Sequence, residues 1–207
     1  VGSTIQESHD MGQIMLHIPT SVPDTLPLKL APRPGTLRGA RLALLDNGKE
    51  FSDQVLDAVG EVMKREYDVG EVTIWRKGFP AKAAPFILEM APSCDVVVNG
   101  VGHCGSSSPW SVHDAVALEK EGVPTVTLIS RSFCPLGQVV AQRLAYPGLP
   151  IVLLPHPIGD ADEDKIRQKG LDAVEECVRL LTTPGETIDA EFQAKKFPLP
   201  EHAVARL

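Results

Sequence analysis

The chain has 207 residues, of which 43% are hydrophobic and 23% are charged, and these proportions are ordinary for a globular protein with a sizeable core. Twenty Lys and Arg residues against 27 Asp and Glu residues give a net charge of -7, which argues against nucleic acid or an anionic membrane as the main partner. Four cysteines without metal-site spacing fit a reducing cytoplasm, and no apolar run has the length of a membrane span or the flanks of a signal peptide. We therefore expect a cytoplasmic protein with a small-molecule ligand.

Regular elements are predicted only after a proline-rich start. The prolines of residues 1–36 exclude a regular helix or a central strand, and we interpret this segment as an extended arm that packs on its own domain or on a neighbouring subunit, with disorder as the alternative. Hydrophobic periodicity then predicts alternating elements. The predicted strands are residues 41–45, 71–75, 95–98, 125–129 and 151–154, and the predicted helices are residues 51–64, 82–90, 109–121, 136–144 and 163–181.

This alternation predicts a doubly wound α/β fold with a mainly parallel, five-stranded sheet of the flavodoxin-like kind. We assign residues 37–185 to that domain and residues 186–207 to a C-terminal arm without a regular element. Ligands of such folds bind beyond the carboxyl ends of the strands. Several candidate binding side chains follow predicted strands, namely Asn47, Asn99, Arg131 and His156.

The stretch from residue 99 to residue 109 carries the most specific chemical signal. It reads Asn-Gly-Val-Gly-His-Cys-Gly-Ser-Ser-Ser-Pro, and its glycines allow a sharp turn while the serines and proline begin a helix close to Cys104. Unpaired N–H groups and the positive end of a helix dipole stabilise a thiolate, so we expect Cys104 to be a nucleophile. Glycine-rich loops also bind phosphate without covalent chemistry, which leaves an anion-binding role open.

The remaining candidates surround this cysteine. His156 is the preferred base or substrate-orienting residue, and His103 is a weaker one because neighbours on a turning loop often point apart. Arg131 is a candidate for a substrate carboxylate, and Asn47 and Asn99 for substrate amide contacts. The loop residues expected to contact substrate are Gly102, Gly105, Ser106 and Ser107, with the N–H groups of Gly105 and Ser106 facing developing negative charge.

Other features have simpler interpretations. Cys94, Cys134 and Cys177 are expected to be buried, unreactive thiols. His113 and Asp114 are expected to be solvated or to contact another subunit. The dinucleotide, phosphate-loop and His-Glu-x-x-His motifs are missing, and Ser at position 107 leaves no Cys-x-x-Cys. The sequence therefore implies neither a metal nor a cofactor.

Three segments together resemble the UGSC-motif proteins, which are named for a selenocysteine or cysteine followed by Gly-Ser-Cys. These segments are residues 95–108, residues 118–126 (Leu-Glu-Lys-Glu-Gly-Val-Pro-Thr-Val) and residues 149–160 (Leu-Pro-Ile-Val-Leu-Leu-Pro-His-Pro-Ile-Gly-Asp), with Leu-Ala-Pro-Arg-Pro at residues 30–34. They are also similar to the selenoprotein subunits of glycine, sarcosine and betaine reductases and of proline reductase. The likeness covers about residues 30–183.

The resemblance implies that Cys104 takes the place of the family's selenocysteine and attacks an electrophilic carbon. We hypothesise a cysteine-dependent enzyme that forms a covalent adduct with a small polar or carboxylated metabolite and cleaves or forms a carbon-heteroatom bond. Because Ser107 replaces the second cysteine, resolution requires an external thiol, hydrolysis, elimination or transfer, unless Cys134 comes near. The alternatives are a non-catalytic, anion-binding or accessory subunit and a thiol redox protein. The terminal arms suggest a homo-oligomer or a heteromer with a related subunit.

Overall fold

The computed structural model describes residues 27–198, which form a five-stranded parallel sheet covered by helices. The strands are β1 (Arg41–Asp46), β2 (Glu71–Arg76), β3 (Val96–Gly102), β4 (Thr125–Ser130) and β5 (Ile151–Leu154). The helices are α1 (Ser52–Glu66), α2 (Ile87–Met90), α3 (Ser107–Lys120), α4 (Cys134–Arg143), α5 (Glu163–Leu171), α6 (Val174–Thr182) and α7 (Gly185–Ala194). The predicted doubly wound α/β fold is confirmed.

The strand order is β2-β1-β3-β4-β5, and every neighbouring pair is parallel. The chain therefore runs outward from β1 to β2, returns across β1 to β3, and then continues in the opposite direction along the sheet. Loops after β1 and β3 consequently leave the sheet toward opposite faces and open a crevice between them, which is where ligands of this topology bind.

Burial explains why these segments become strands. The residues of β3 and β4 are all buried, and β1 is buried apart from its first residue, as expected for parallel strands covered on both faces. One face of the sheet is covered by α1 and α6, with α5 packed on α1, and the other face is covered by α2, α3 and α4. The edge strand β2 is only partly covered. Within residues 27–198, every helix is too short or too polar to cross a bilayer.

Two predicted helices differ from the structure. Of the predicted helix 82–90, only the last four residues are helical, as α2, and a 3-10 turn, Ala91–Ser93, follows them. The reason is that Ala84 N–H donates to the side chain of Asp114, and Pro85 has no N–H to continue a helix. The predicted helix 163–181 is divided into α5 and α6, because Ala173 N–H donates to Gly170, three residues back, and the α-helical pattern ends there.

The expectation that the chain lacks a regular element from residue 186 is also wrong. Helix α7 occupies residues 185–194, and it buries Ile188 and Phe192 in the main core. Phe197, beyond the helix, is buried as well, and its N–H donates to Gln138 on α4. The apolar residues of this segment therefore pack in the core, and two of them do so from a helix. Residues 199–207 lie outside the described residues.

The described part of the proline-rich arm packs on its own domain. Arg33 forms two hydrogen bonds with the Glu119 carboxylate, at 2.7 and 2.8 Å, and both side chains are inaccessible to solvent. The same carboxylate accepts the N–H groups of Ala31, at 2.6 Å, and Thr125, at 2.8 Å. One buried carboxylate thus joins the arm, α3 and the first residue of β4. The part of the arm before residue 27 lies outside the described residues.

Gly170 provides a test of the packing between α5 and α1. A Cβ atom at this position would overlap the backbone carbonyl oxygen of Val55, which cannot move aside as a flexible side chain would. We expect Gly170→Ala to lower the free energy of unfolding by about 1–3 kcal/mol despite the better helix propensity of alanine. Urea unfolding measures this change. The control is Gly35→Ala, where nothing lies within 4 Å, and an equal loss there would contradict the assignment.

Candidate active site

Cys104 lies in the short loop between β3 and α3, at the crevice described above. Strand β3 is longer than predicted and includes Asn99 and Gly102, with an irregular register against β4 at these two residues. The loop is therefore reduced to residues 103–106, and α3 begins at Ser107. The prediction that a helix begins within a few residues of Cys104 is confirmed.

Three groups at the start of α3 surround the Cys104 sulfur. Sγ lies 3.0 Å from Ser107 Oγ, 3.2 Å from the Ser107 nitrogen and 3.3 Å from Ser106 Oγ. Partial burial raises the pKa of the thiol, but hydrogen bonds from Ser106 and Ser107 outweigh this effect and lower the pKa to about 7. Cys104 is thus ionised to a large extent near neutral pH, and it is only partly buried.

Close packing fixes this loop against the helix. Ser108 Oγ donates to the Cys104 carbonyl oxygen at 2.9 Å, and the Ser107 hydroxyl accepts the N–H of His103 at 3.2 Å. A Cβ atom at Gly102 would lie 2.9 Å from Ser108 Cα, so only glycine permits the helix to begin so near the strand. The predicted loop residue Gly105 is exposed, and a Cβ atom at this position would have no other described residue within 4 Å.

Asn47 supports the loop from beneath rather than facing solvent. It is fully buried, and its amide nitrogen donates to the Val101 carbonyl oxygen at 2.8 Å and lies 3.1 Å from Ser111 Oγ. Its amide oxygen accepts Lys49 N–H and the Ser52 hydroxyl. Ser52 Oγ in turn accepts Val101 N–H at 3.0 Å. Sequence reasoning missed Ser52 and Ser111; the position of Ser52 at the start of α1 was a signal for the first, and Ser111 lies inside α3.

Asn99 is likewise buried, in β3. Its amide nitrogen donates to the Ser111 carbonyl oxygen at 2.7 Å and lies 3.4 Å from Thr127 Oγ1. Within residues 27–198 its buried Oδ1 has no hydrogen-bond partner. The structure therefore gives both predicted substrate asparagines a position under the loop, where their amide nitrogens bind the protein itself.

His103 follows the strand and turns toward the loop after β1. Its Nε2 lies 3.1 Å from the Glu50 carbonyl oxygen. A carbonyl only accepts, so Nε2 carries the proton and Nδ1 is the basic nitrogen. Burial is the main cause of a lowered pKa at His103, and the positive charges of Lys49 and His156 lower it further. The imidazole is therefore neutral at pH 7.

His156 and Arg131 stand at the rim of the crevice. His156 Nδ1 lies 3.2 Å from Ser130 Oγ, and its ring meets the edge of Phe133 at a centroid distance of 5.8 Å. Arg131 is exposed in the 3-10 turn Arg131–Phe133 that follows β4. Across the described chain, no hydrogen bond joins either histidine ring to the Cys104 sulfur. The structure thus places the two serines in contact with the Cys104 sulfur, while the predicted base His156 contacts Ser130 and Phe133.

Asp114 was expected to be solvated or to contact another subunit, and this expectation is wrong. It is buried and accepts hydrogen bonds from Lys77 Nζ at 2.6 Å and from Ala84 N–H at 2.8 Å. Burial is the main cause that raises its pKa, against the opposing effect of Lys77. Lys77 is itself buried and also donates to the Lys82 carbonyl oxygen. His113, by contrast, is exposed beside Trp110.

The other three cysteines are free and buried, and burial raises the pKa of Cys94 to about 11 and that of Cys134 to about 12, while Cys177 is raised further. Cys134 Sγ lies 3.4 Å from the Ile129 carbonyl oxygen, so it points into the protein. Among the residues that the structure describes, no group of three or more His, Cys, Asp or Glu side chains could hold a metal ion.

The sequence model of the UGSC family matches residues 15–183. The chain belongs to the UGSC family. No curated protein matches it. Among solved structures, it is similar to a flavodoxin-like domain from Synechococcus sp., at 15% identity and a TM-score of 0.37, over 67% of this chain and 99% of that one. It is also similar to the signal receiver domain of the putative response regulator NarL from Mycobacterium tuberculosis, at 18% identity and a TM-score of 0.35, over 69% of this chain and 98% of that one.

The motif that gives the UGSC family its name places a second cysteine three residues after the first. In this member that position is Ser107, whose hydroxyl is in direct contact with Cys104 Sγ. A hydroxyl cannot form a disulfide, so this UGSC protein has one thiol where the motif provides two.

Proposed function

We propose that this UGSC-family chain is an enzyme in which Cys104 attacks an electrophilic carbon of a small polar or carboxylated metabolite. The observation that carries the proposal is a partly buried thiol whose pKa is about 7, which accepts the Ser107 N–H and lies within 3.3 Å of the Ser106 and Ser107 hydroxyls. A thiolate is the nucleophilic form of cysteine, and it is present here near neutral pH. The position supports the same conclusion, because Cys104 lies at the crevice between the ends of β1 and β3.

The chemistry follows from the arrangement. The sulfur–carbon bond forms with the thiolate electron pair while a carbon–heteroatom bond breaks, and the heteroatom leaves with its electron pair and takes a proton from water or from a rim histidine. The rim residues His156 and Arg131 are the groups available to orient a carboxylated substrate, whereas the Nδ1 atom of neutral His103 is a hydrogen-bond acceptor. An external thiol, water or a second substrate then releases the adduct. We place this reaction in a reducing cytoplasm, where a free thiol persists.

We also propose, from the resemblance to the selenoprotein subunits of glycine and proline reductases, that the bond broken in the substrate is a carbon–nitrogen bond. Two alternatives are less well supported. An anion-binding subunit would use the free N–H groups of α3, but Ser107 N–H donates to Cys104 Sγ, so the thiolate itself is the anion at this helix start. A dithiol redox protein would need Cys134, which is buried with a raised pKa.

Intact-mass analysis tests the proposal. The purified chain is incubated at pH 7 with a panel of small carboxylates that carry amino, hydroxyl or ammonium leaving groups, and the mass of the protein is measured. We expect one adduct on Cys104 in the wild type and in a Cys94→Ser control, whose exchanged thiol is buried, and no adduct in Cys104→Ala. Turnover of any panel substrate by Cys104→Ala would sink the proposal.

A further inference from the structure

The structure assigns Ser107 as a positioning residue whose hydroxyl controls the ionisation of Cys104, an inference that rests on the proposed function. Ser107 is fully buried, although it is a polar side chain in the first turn of α3. Among residues 27–198, its Oγ has two partners at hydrogen-bond distance, Cys104 Sγ at 3.0 Å and His103 N–H at 3.2 Å.

In the structure the Ser107 hydroxyl accepts both of these hydrogen bonds. The His103 N–H can only donate, and the protonated Cys104 thiol donates its S–H to the same Oγ. When the thiol ionises, this S–H donor is lost, and the Ser107 O–H can rotate to donate to the sulfur. Ionisation therefore reverses the hydrogen bond by rotation of the hydroxyl, and the charge-assisted bond that results favours the thiolate.

Ser106 provides a matched contrast on the same loop. Its hydroxyl lies 3.3 Å from the same sulfur, but Ser106 is exposed. Water can replace an exposed hydroxyl as a hydrogen-bond donor, whereas it cannot easily reach the buried position of Ser107. Loss of the two hydroxyls should therefore have unequal effects on Cys104, although both lie close to its sulfur.

The test is the pH dependence of Cys104 alkylation by iodoacetamide, read from the modified peptide by mass spectrometry. The wild type should show a midpoint near pH 7. Ser107→Ala should move the midpoint upward by about one pH unit, which lowers the alkylation rate at pH 6 about tenfold. Ser106→Ala should lower that rate by less than about threefold. Ser107→Gly also removes the hydroxyl and serves if the alanine variant does not fold.

The outcomes separate this inference from the proposed function. Wild-type midpoints in both Ser107→Ala and Ser107→Gly would overturn the role of Ser107 and leave the nucleophile intact. A wild-type midpoint at the ordinary cysteine value, about 8.5, would instead contradict the activated nucleophile itself. An equal shift in Ser106→Ala and Ser107→Ala would also overturn the inference, because it would show that burial of the hydroxyl makes no difference.

Discussion

Glu119→Gln should lower the free energy of unfolding by about 3–5 kcal/mol, because it leaves the buried guanidinium of Arg33 without a counter-charge. The amide also places an N–H group against donors that the carboxylate now accepts, including the N–H groups of Ala31 and Thr125. Urea or thermal unfolding followed by circular dichroism measures the loss.

The control for this prediction is Asp95→Asn. Asp95 forms a similar ion pair with Arg41, but both side chains are more than two-fifths exposed, at 43% and 44%. Exposed pairs contribute about 0–1 kcal/mol, so this variant should remain close to the wild type. Comparable losses in the two variants would contradict the view that burial makes the Glu119 pair important.

Ser107→Cys should convert the site into a dithiol that oxidises to a disulfide between positions 104 and 107. The distance of 3.0 Å between Ser107 Oγ and Cys104 Sγ places a new sulfur against the existing one, and a thiolate at Cys104 is ready to react. After treatment with oxidised glutathione, the intact mass should fall by two hydrogens and both thiols should disappear from a thiol count.

Ser108→Cys is the matched control for the engineered dithiol. Ser108 is also buried in the first turn of α3, but its hydroxyl binds the Cys104 carbonyl oxygen rather than the sulfur. This variant should form no disulfide between positions 104 and 108, and any reaction of Cys104 with oxidised glutathione should appear as the added mass of one glutathione rather than the loss of two hydrogens. If Ser107→Cys likewise formed no internal disulfide, the contact between residue 107 and the Cys104 sulfur would be wrong.

The fold was predictable because the local pattern of apolar residues indicates each strand and most helices. Buried parallel strands contain short apolar runs, such as residues 96–98 in β3, and helix α1 follows its apolar spacing. The segments that were predicted wrongly are those whose conformation depends on contacts with residues distant in the chain. Residues 82–86 look helical, but the ion pair of Lys77 with Asp114 and the hydrogen bond from Ala84 determine their conformation.

The same distinction applies to the site. The activated Cys104 was predictable because its serine donors are two and three residues away in the chain. The partner of His103 was not, because Glu50 is 53 residues distant and contributes only a backbone carbonyl. The Arg33 pair spans 86 residues, and although both members lie in segments that resemble the UGSC-motif proteins, nothing in either segment indicates that the two side chains meet. A sequence therefore reveals a functional loop more readily than the distant residues that surround it.

The buried hydrogen-bond network of Asn47, Ser52 and Ser111 has a consequence for protein engineering. Each member binds another member or the backbone of β3, so a substitution there disturbs the loop that carries the nucleophile. The rim is different, because its exposed or half-buried side chains extend from the ends of other strands. A variant library aimed at new substrates should therefore randomise the rim positions Lys49, Arg131 and His156 and keep the network constant.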